Sequence, residues 1–279
     1  MKTILVVANE TLGGAKLLEA VKDAAGDHED ARVVVCVPRN RPKHGNIIYD
    51  DAVFDAAKVR IDLARRFLRD LGIQAIGDIG DPDPYTATMD AVGEHKPDEI
   101  IVSTYPATIS GWLRRDLIER IEQASGLPVN HVVQDIDAEG IPFHVTLVVA
   151  ARTASGDELL HCLQEKASGR ERGTLHIVVV PQEGGEGAHV ARARARMAQV
   201  VDRLIAANLI AAGMIGDPDP YTATMNALQL FRVDDIVIST LPATRSGWLR
   251  ADLIERVRKA SGKDVEHVEA RERTAANAV

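Results

Sequence analysis

The string Gly-Asp-Pro-Asp-Pro-Tyr-Thr-Ala-Thr-Met occurs twice, from Gly80 to Met89 and again from Gly216 to Met225, a displacement of 136 residues. The match continues without a gap over 80–133 and 216–269, with 34 of the 54 positions identical. Upstream the likeness is weaker but keeps its order. Leu5-Val-Val-Ala8 answers to Leu147-Val-Val-Ala150, and Val34-Val-Cys-Val-Pro38 to Val178-Val-Val-Pro181 with an offset. A repeat of that length is one whole domain present twice. The 279 residues are therefore expected to form two domains, 1–138 and 139–279, parted within the polar stretch Asp135-Ile-Asp-Ala-Glu-Gly140.

Within each copy, short β-branched runs alternate with helical patterns. Strands are expected at 3–8, 32–37, 73–79, 99–103 and 129–133, and in the second copy at 144–150, 174–180, 208–215, 235–239 and 265–268. Helices are expected near 14–25, 51–71, 84–95 and 112–125, with counterparts in the second copy. Runs such as Ile4-Leu-Val-Val7 and Ile100-Ile-Val102 are apolar throughout, the pattern of strands covered on both faces. Strand and helix in alternation imply a parallel sheet with right-handed crossovers. The fold class is thus α/β, two tandem doubly wound five-stranded domains. Asp83-Pro84 and Asp219-Pro220 read as N-caps with proline at the first helical position. Ser125-Gly126 and Ser261-Gly262 read as helix ends closing on a left-handed glycine.

Composition narrows the function. A net charge of −8 argues against a nucleic-acid partner or an anionic membrane, both of which need clustered cations. Only 4% of residues are aromatic, so Val, Ile, Leu and Ala must make the core. Two cysteines, Cys36 and Cys162, are too few for a disulfide framework or a zinc site, and both are expected as reduced core residues. No apolar run reaches the ~18 residues of a membrane span, and residues 4–8 are too short for a signal-peptide core. A soluble, cytoplasmic protein is expected.

In an open parallel sheet, ligands sit beyond the carboxyl ends of strands where the strand order reverses. With the first strand central, that crevice lies between the segments 9–14 and 103–110, and in the second copy between 151–156 and 239–246. Ser103, Thr104 and Ser110, with Ser239, Thr240 and Ser246, bring hydroxyls to it. Ser110 and Ser246 serve equally as caps of the helix that follows. Arg114 and Arg250 precede the apolar stripe of that helix by one turn, where a guanidinium at the rim would suit a phosphate or could pair with a surface carboxylate. Trp112 and Trp248 fall about 100° off the stripe and fit a loop or domain junction better than a base stack. Asp81 and Asp83 are explained by a turn and a cap, and His131 and His267 as solvent-facing strand residues. No metal-ligand spacing, phosphate loop, serine elbow or cysteine–histidine nucleophile pattern is present.

The chain resembles the universal stress protein family in a tandem two-domain form. The resemblance is carried by the first strand Lys2-Thr-Ile-Leu-Val-Val-Ala8, the Gly-Asp-Pro after the third strand, and the closing run Asp98-Glu-Ile-Ile-Val-Ser103, Leu117-Ile-Glu-Arg-Ile121 and Ala124-Ser-Gly-Leu-Pro-Val129. It implies a strand order 3-2-1-4-5 and a crevice for ATP or AMP. The implied contacts are Asn9, Val37, Ser103, Thr104, Ser110 and Arg114, and in the second copy Ala151, Val180, Ser239, Thr240, Ser246 and Arg250. Nucleotide-binding members carry an aspartate after the first strand and the pattern G-x-x-G-x9-G-(S/T) after the fourth. Here Asn9 and Ala151 replace the aspartate, and Ser103, Pro106, Arg115 and Ser239, Pro242, Ala251 stand at the glycine positions. Proline removes a backbone donor, and any side chain keeps the backbone from a triphosphate. The implied protein is therefore a non-enzymatic stress-response module with a degenerate ATP motif. It is expected to pair its two domains through their fifth strands as an intramolecular pseudo-dimer, and a homodimer of chains is compatible with that.

Overall fold

Strand cores too apolar to face water on either side set this fold. Ile4, Leu5, Val6 and Val7 are all at most 1% exposed, as are Val33 to Val37 and Ile100 to Val102. The computed structural model describes residues 2–26, 30–39, 50–107, 110, 112, 116–184, 187–242, 246–250 and 252–270, with residues 249 and 250 placed by backbone alone. The chain divides into two compact units, with His144 opening the second.

The first unit runs β1 (Thr3–Val7), α1 (Ala15–Ala25), β2 (Arg32–Pro38), α2 (Asp50–Asp70), β3 (Gln74–Gly80), α3 (Pro84–His95), β4 (Glu99–Thr104), α4 (Leu117–Ser125), β5 (Val129–Val133) and α5 (Ile136–Glu139). The second runs β6 (His144–Ala150), α6 (Asp157–Ser168), β7 (Thr174–Pro181), α7 (Gly187–Ala206), β8 (Ile210–Gly216), α8 (Pro220–Leu230), β9 (Asp235–Thr240), α9 (Gly247–Arg250), α10 (Leu253–Ser261) and β10 (Asp264–Glu269). The sheets are ordered β3-β2-β1-β4-β5 and β8-β7-β6-β9-β10, parallel throughout. This is the doubly wound order that the resemblance implied. The order reverses between β1 and β4, and between β6 and β9. In the first unit, Leu17, Val21 and Ala57 cover one face of the sheet, while Ala87, Ala91, Leu117 and Ile121 cover the other.

Most of the repeated sequence proves to be scaffold. Asp83 caps α3 by accepting the Thr86 N–H at 3.0 Å, and Asp219 accepts the Thr222 N–H at 2.9 Å. Asp81 accepts the Asp83 N–H at 2.8 Å, the turn expected of it. Arg120 stacks over the Tyr85 ring at 4.0 Å and Arg256 over Tyr221 at 4.2 Å, tying α4 to α3 and α10 to α8. Gly80 is held by close packing, since a Cβ there would stand 2.5 Å from the Ala87 Cβ.

Three expectations are corrected. The last helix does not begin at Trp112: α4 and α10 begin at Leu117 and Leu253, after Asp116 and Asp252 in the left-handed region (φ 48° and 49°). That break separates position 250 from the stripe it was expected to join. Cys162 is only half-buried, its thiol 3.2 Å from Glu266 Oε1, because α6 is amphipathic and this position lies at its margin. His131 and His267 are engaged rather than merely solvent-facing, each with its Nε2 2.8 Å from the hydroxyl of Thr104 or Thr240 on the neighbouring strand.

Candidate functional site

At the carboxyl ends of β1 and β4, where the order of the first sheet reverses, a cleft of about 740 Å³ opens. The segment after β1 gives Asn9, Glu10 and Thr11. The end of β4 and the loop beyond it give Ser103, Thr104, Tyr105, Ser110 and Trp112, while Arg39, Asp50, Val53, Pro82 and Pro84 complete the wall. Of the expected residues, the cleft thus gathers Asn9, Ser103, Thr104 and Ser110.

Its floor is fixed by hydrogen bonds that consume most of the hydroxyls. The Thr11 hydroxyl donates to the Ser103 carbonyl at 3.2 Å. Gln134 reaches across from beyond β5, its Nε2 donating to the Thr11 carbonyl at 2.7 Å and to Ser103 Oγ at 3.0 Å. The Ser110 N–H donates to the Pro106 carbonyl at 2.8 Å, and the Trp112 N–H to Ser110 Oγ at 3.3 Å. Ser110 therefore closes a turn in the loop instead of capping α4. Asn9 is different. Its Nδ2 donates to the Pro38 carbonyl at 3.0 Å, while its Oδ1, buried, meets no donor among the described residues. A buried acceptor left open costs about 1–3 kcal/mol.

Charge in the cleft is nearly balanced. Glu10 and Asp50 are opposed by Arg39, whose Nε donates to the Gly80 carbonyl at 3.2 Å. Arg60 lies near Glu10 and Tyr105. Burial pulls its guanidinium below the ordinary value while the Glu10 charge holds it up. His131, paired with the Thr104 hydroxyl, is also pulled below its ordinary value by burial, so at pH 7 it is a neutral imidazole. In the second unit the Thr240 hydroxyl donates to the Leu241 carbonyl, so His267 is the donor to that hydroxyl. The pair is repeated in both units and joins β4 to β5 and β9 to β10 as a strand clasp.

The remaining expected residues fall elsewhere. Val37 and Val180 are wholly buried in the core clusters, so their side chains do not reach a ligand. Arg114 lies outside the described residues, and Arg250 is placed by backbone only, at the end of α9. In the second unit Thr153 repeats the bond of Thr11, donating to the Ser239 carbonyl at 3.0 Å. Gln134 has no counterpart there, since position 270 is alanine, and Ser239 Oγ is left without a partner among the described residues. Ala151 replaces Asn9, Arg152 replaces Glu10, Gln182 replaces Arg39 and Leu241 replaces Tyr105. The units share a scaffold but differ in the side chains at its crevice. Sequence reasoning missed Arg39, Tyr105 and Gln134. The signal that would have found them is their divergence at the crevice positions of an otherwise faithful repeat.

No protein-family model matches the sequence, and neither does any curated protein. Among solved structures, the chain is similar to a universal stress protein from Archaeoglobus fulgidus, at 15% identity over 98% of this chain and 97% of that one, with a TM-score of 0.37. The fold assignment rests on the strand order itself.

Proposed function

We propose that this chain is a tandem universal stress protein acting in the cytoplasm as a ligand-sensing or interaction module rather than a turnover enzyme, with the crevice of the first unit as its ligand site. The carrying observation is the cleft at the strand-order reversal, whose lining differs between the copies while the scaffold beneath is repeated. In its described lining two carboxylates face one guanidinium, Tyr105 and Trp112 bring aromatic rings to it, and Asn9 Oδ1 is an unsatisfied acceptor. That chemistry suits a small molecule with a planar group, a donor for Asn9 and little net charge. It does not suit a triphosphate, which needs several cations or converging backbone N–H groups. At Pro106 there is no backbone N–H to give.

A second reading, adenine nucleotide held in a modified crevice, is favoured by an Asn9 acceptor and two aromatic rings lining one cleft, groups that suit a base and its amino group. Calorimetric titration separates the two. ATP is expected to bind more weakly than ~100 µM, worth about 5.5 kcal/mol. Low-micromolar ATP or AMP affinity, lost in Asn9→Ala, would establish the second reading. Pairing of the domains through the edge strands β5 and β10 belongs to the same proposal. Its test is a crosslink between cysteines placed at His131 and His267, whose failure to form under oxidation would refute it.

A further inference from the structure

The first unit carries a group of side chains the ligand crevice does not use. Asp78 on the edge strand β3, and Glu94 and His95 at the end of α3, bring one ligand atom each to within 4.8 Å of one another. Asp78 shares a sheet face with Ile76, the face covered by α3, because alternate residues of a strand point the same way. His95 lies four residues after the buried Ala91, so it continues the sheet-facing stripe of α3, and its Nε2 hydrogen-bonds Asp78 Oδ2. Glu94, one residue before, is exposed at the rim.

The repeat supplies an internal comparison. The same three positions in the second unit are Met214, Leu230 and Phe231, all apolar and all buried. The fold at this corner therefore closes without polar groups, and the first unit replaces the whole set by ligand-bearing side chains. Neighbouring charge has the sign a cation needs. Asp78 and Asp90 lie close enough to Cys36 to help burial push that thiol up to about 12. The end of α3 also presents the negative pole of its dipole. The Cys36 thiol donates to the Ala87 carbonyl, with its Sγ 3.7 Å away.

We propose that Asp78, Glu94 and His95 form a site for a first-row divalent transition-metal cation, with zinc as the ion they fit best. One imidazole and two carboxylates are a borderline donor set, the kind that prefers zinc to magnesium or calcium. Tetrahedral bonds of about 2.0–2.2 Å place ligand atoms roughly 3.4 Å apart. The exposed Glu94 closes that gap by rotating its side chain, and the fourth position is left to water. For Nε2 to bind the metal, the proton between His95 Nε2 and Asp78 leaves for solvent or is carried on Nδ1.

The test is titration of the full chain with Zn²⁺ against a chromophoric chelator, with the thermal midpoint followed in parallel. One Zn²⁺ per chain is expected. Glu94→Gln, an exposed change that leaves folding intact, should weaken binding at least about tenfold. The triple change Asp78→Met, Glu94→Leu, His95→Phe copies the second unit, so it should fold, bind no Zn²⁺ and lose the Zn²⁺-dependent rise in midpoint. The proposal is overturned if the wild-type chain binds no stoichiometric Zn²⁺, or if the triple variant binds as the wild type does. Should the triple variant fail to fold, an unchanged affinity in Glu94→Gln overturns it alone.

Discussion

Asp235 opens β9 with its side chain only 6% exposed, ringed by donors from β6, α6 and the turn after it. Its carboxylate accepts the Thr146 hydroxyl at 2.7 Å and Arg170 Nη2 at 2.7 Å, with Lys166 Nζ at 3.0 Å and His144 Nε2 at 3.1 Å. Burial raises the carboxyl pKa, but these donors outweigh it and hold the group well below the usual carboxylate range. Asp235→Asn keeps the shape and removes the charge, leaving Lys166 and Arg170 facing a neutral amide. Breaking a buried pair costs about 3–5 kcal/mol. Because Lys166 and Arg170 retain some water, 16% and 23% exposed, the lower end applies, about 3 kcal/mol. At ~2.1 cal/mol/K per residue over roughly 140 residues, that lowers the midpoint of this unit by about 10 °C. The matching residue of the first unit, Glu99, is 26% exposed and faces Lys2 Nζ at 3.1 Å, so Glu99→Gln should cost under ~1 kcal/mol. Each unit holds one tryptophan, Trp112 or Trp248, so fluorescence in a Trp112→Phe background follows the second unit alone. The sign with pH is fixed. A carboxyl depressed in the folded state stabilises above its unfolded pKa of about 3.9, and that stability is lost as pH falls. The gap between wild type and Asp235→Asn should therefore narrow from pH 6 to pH 3. A loss below ~1 kcal/mol at pH 7, or equal losses at Asp235 and Glu99, would refute the reasoning.

Other outcomes follow from single contacts. Burial holds His176 down to about 4, against an ordinary value near 6.5, so the unfolded chain takes the proton first and stability falls as pH drops from about 6.5 towards 4. His176→Leu should flatten the urea-midpoint slope over that window, and an unchanged slope would count against it. Gly80→Ala should destabilise the first unit by about 1–3 kcal/mol in urea unfolding, since the added methyl meets Ala87 at 2.5 Å and Cys36 Sγ at 3.1 Å. Asp83→Ala removes the cap bond to Thr86 and should cost about 1 kcal/mol by the same assay, with no effect on crevice binding.

The legible part of this protein was its scaffold, for a physical reason. Caps and the Gly-Asp-Pro-Asp-Pro turn need particular residues at fixed offsets, so duplication kept them visible, whereas the Tyr85–Arg120 stack and the Thr104–His131 clasp join separate elements and went unread although both copies carry them. Apolar strand runs gave a parallel sheet with right-handed crossovers, and the order of its strands came with the family resemblance. The site was only partly legible. Asn9, Ser103, Thr104 and Ser110 could be placed from the strand ends, but Gln134 reaches the floor from beyond β5, 123 residues from Thr11. Asp78 and His95 meet across 17 residues from a strand and a helix end, a spacing no local motif encodes. The break at Asp116 was hidden because 112–125 carries a continuous helical pattern that a single left-handed residue interrupts.

The most direct measurement is mass spectrometry of small molecules released from the purified full chain, set beside the same measurement on an Asn9→Ala, Trp112→Ala double variant. The account predicts that the wild type releases a compound of low charge with a planar group, and that the variant, its cleft stripped of the open acceptor and an aromatic wall, does not. ATP released near one equivalent per chain, or any ligand retained equally by the variant, would contradict it.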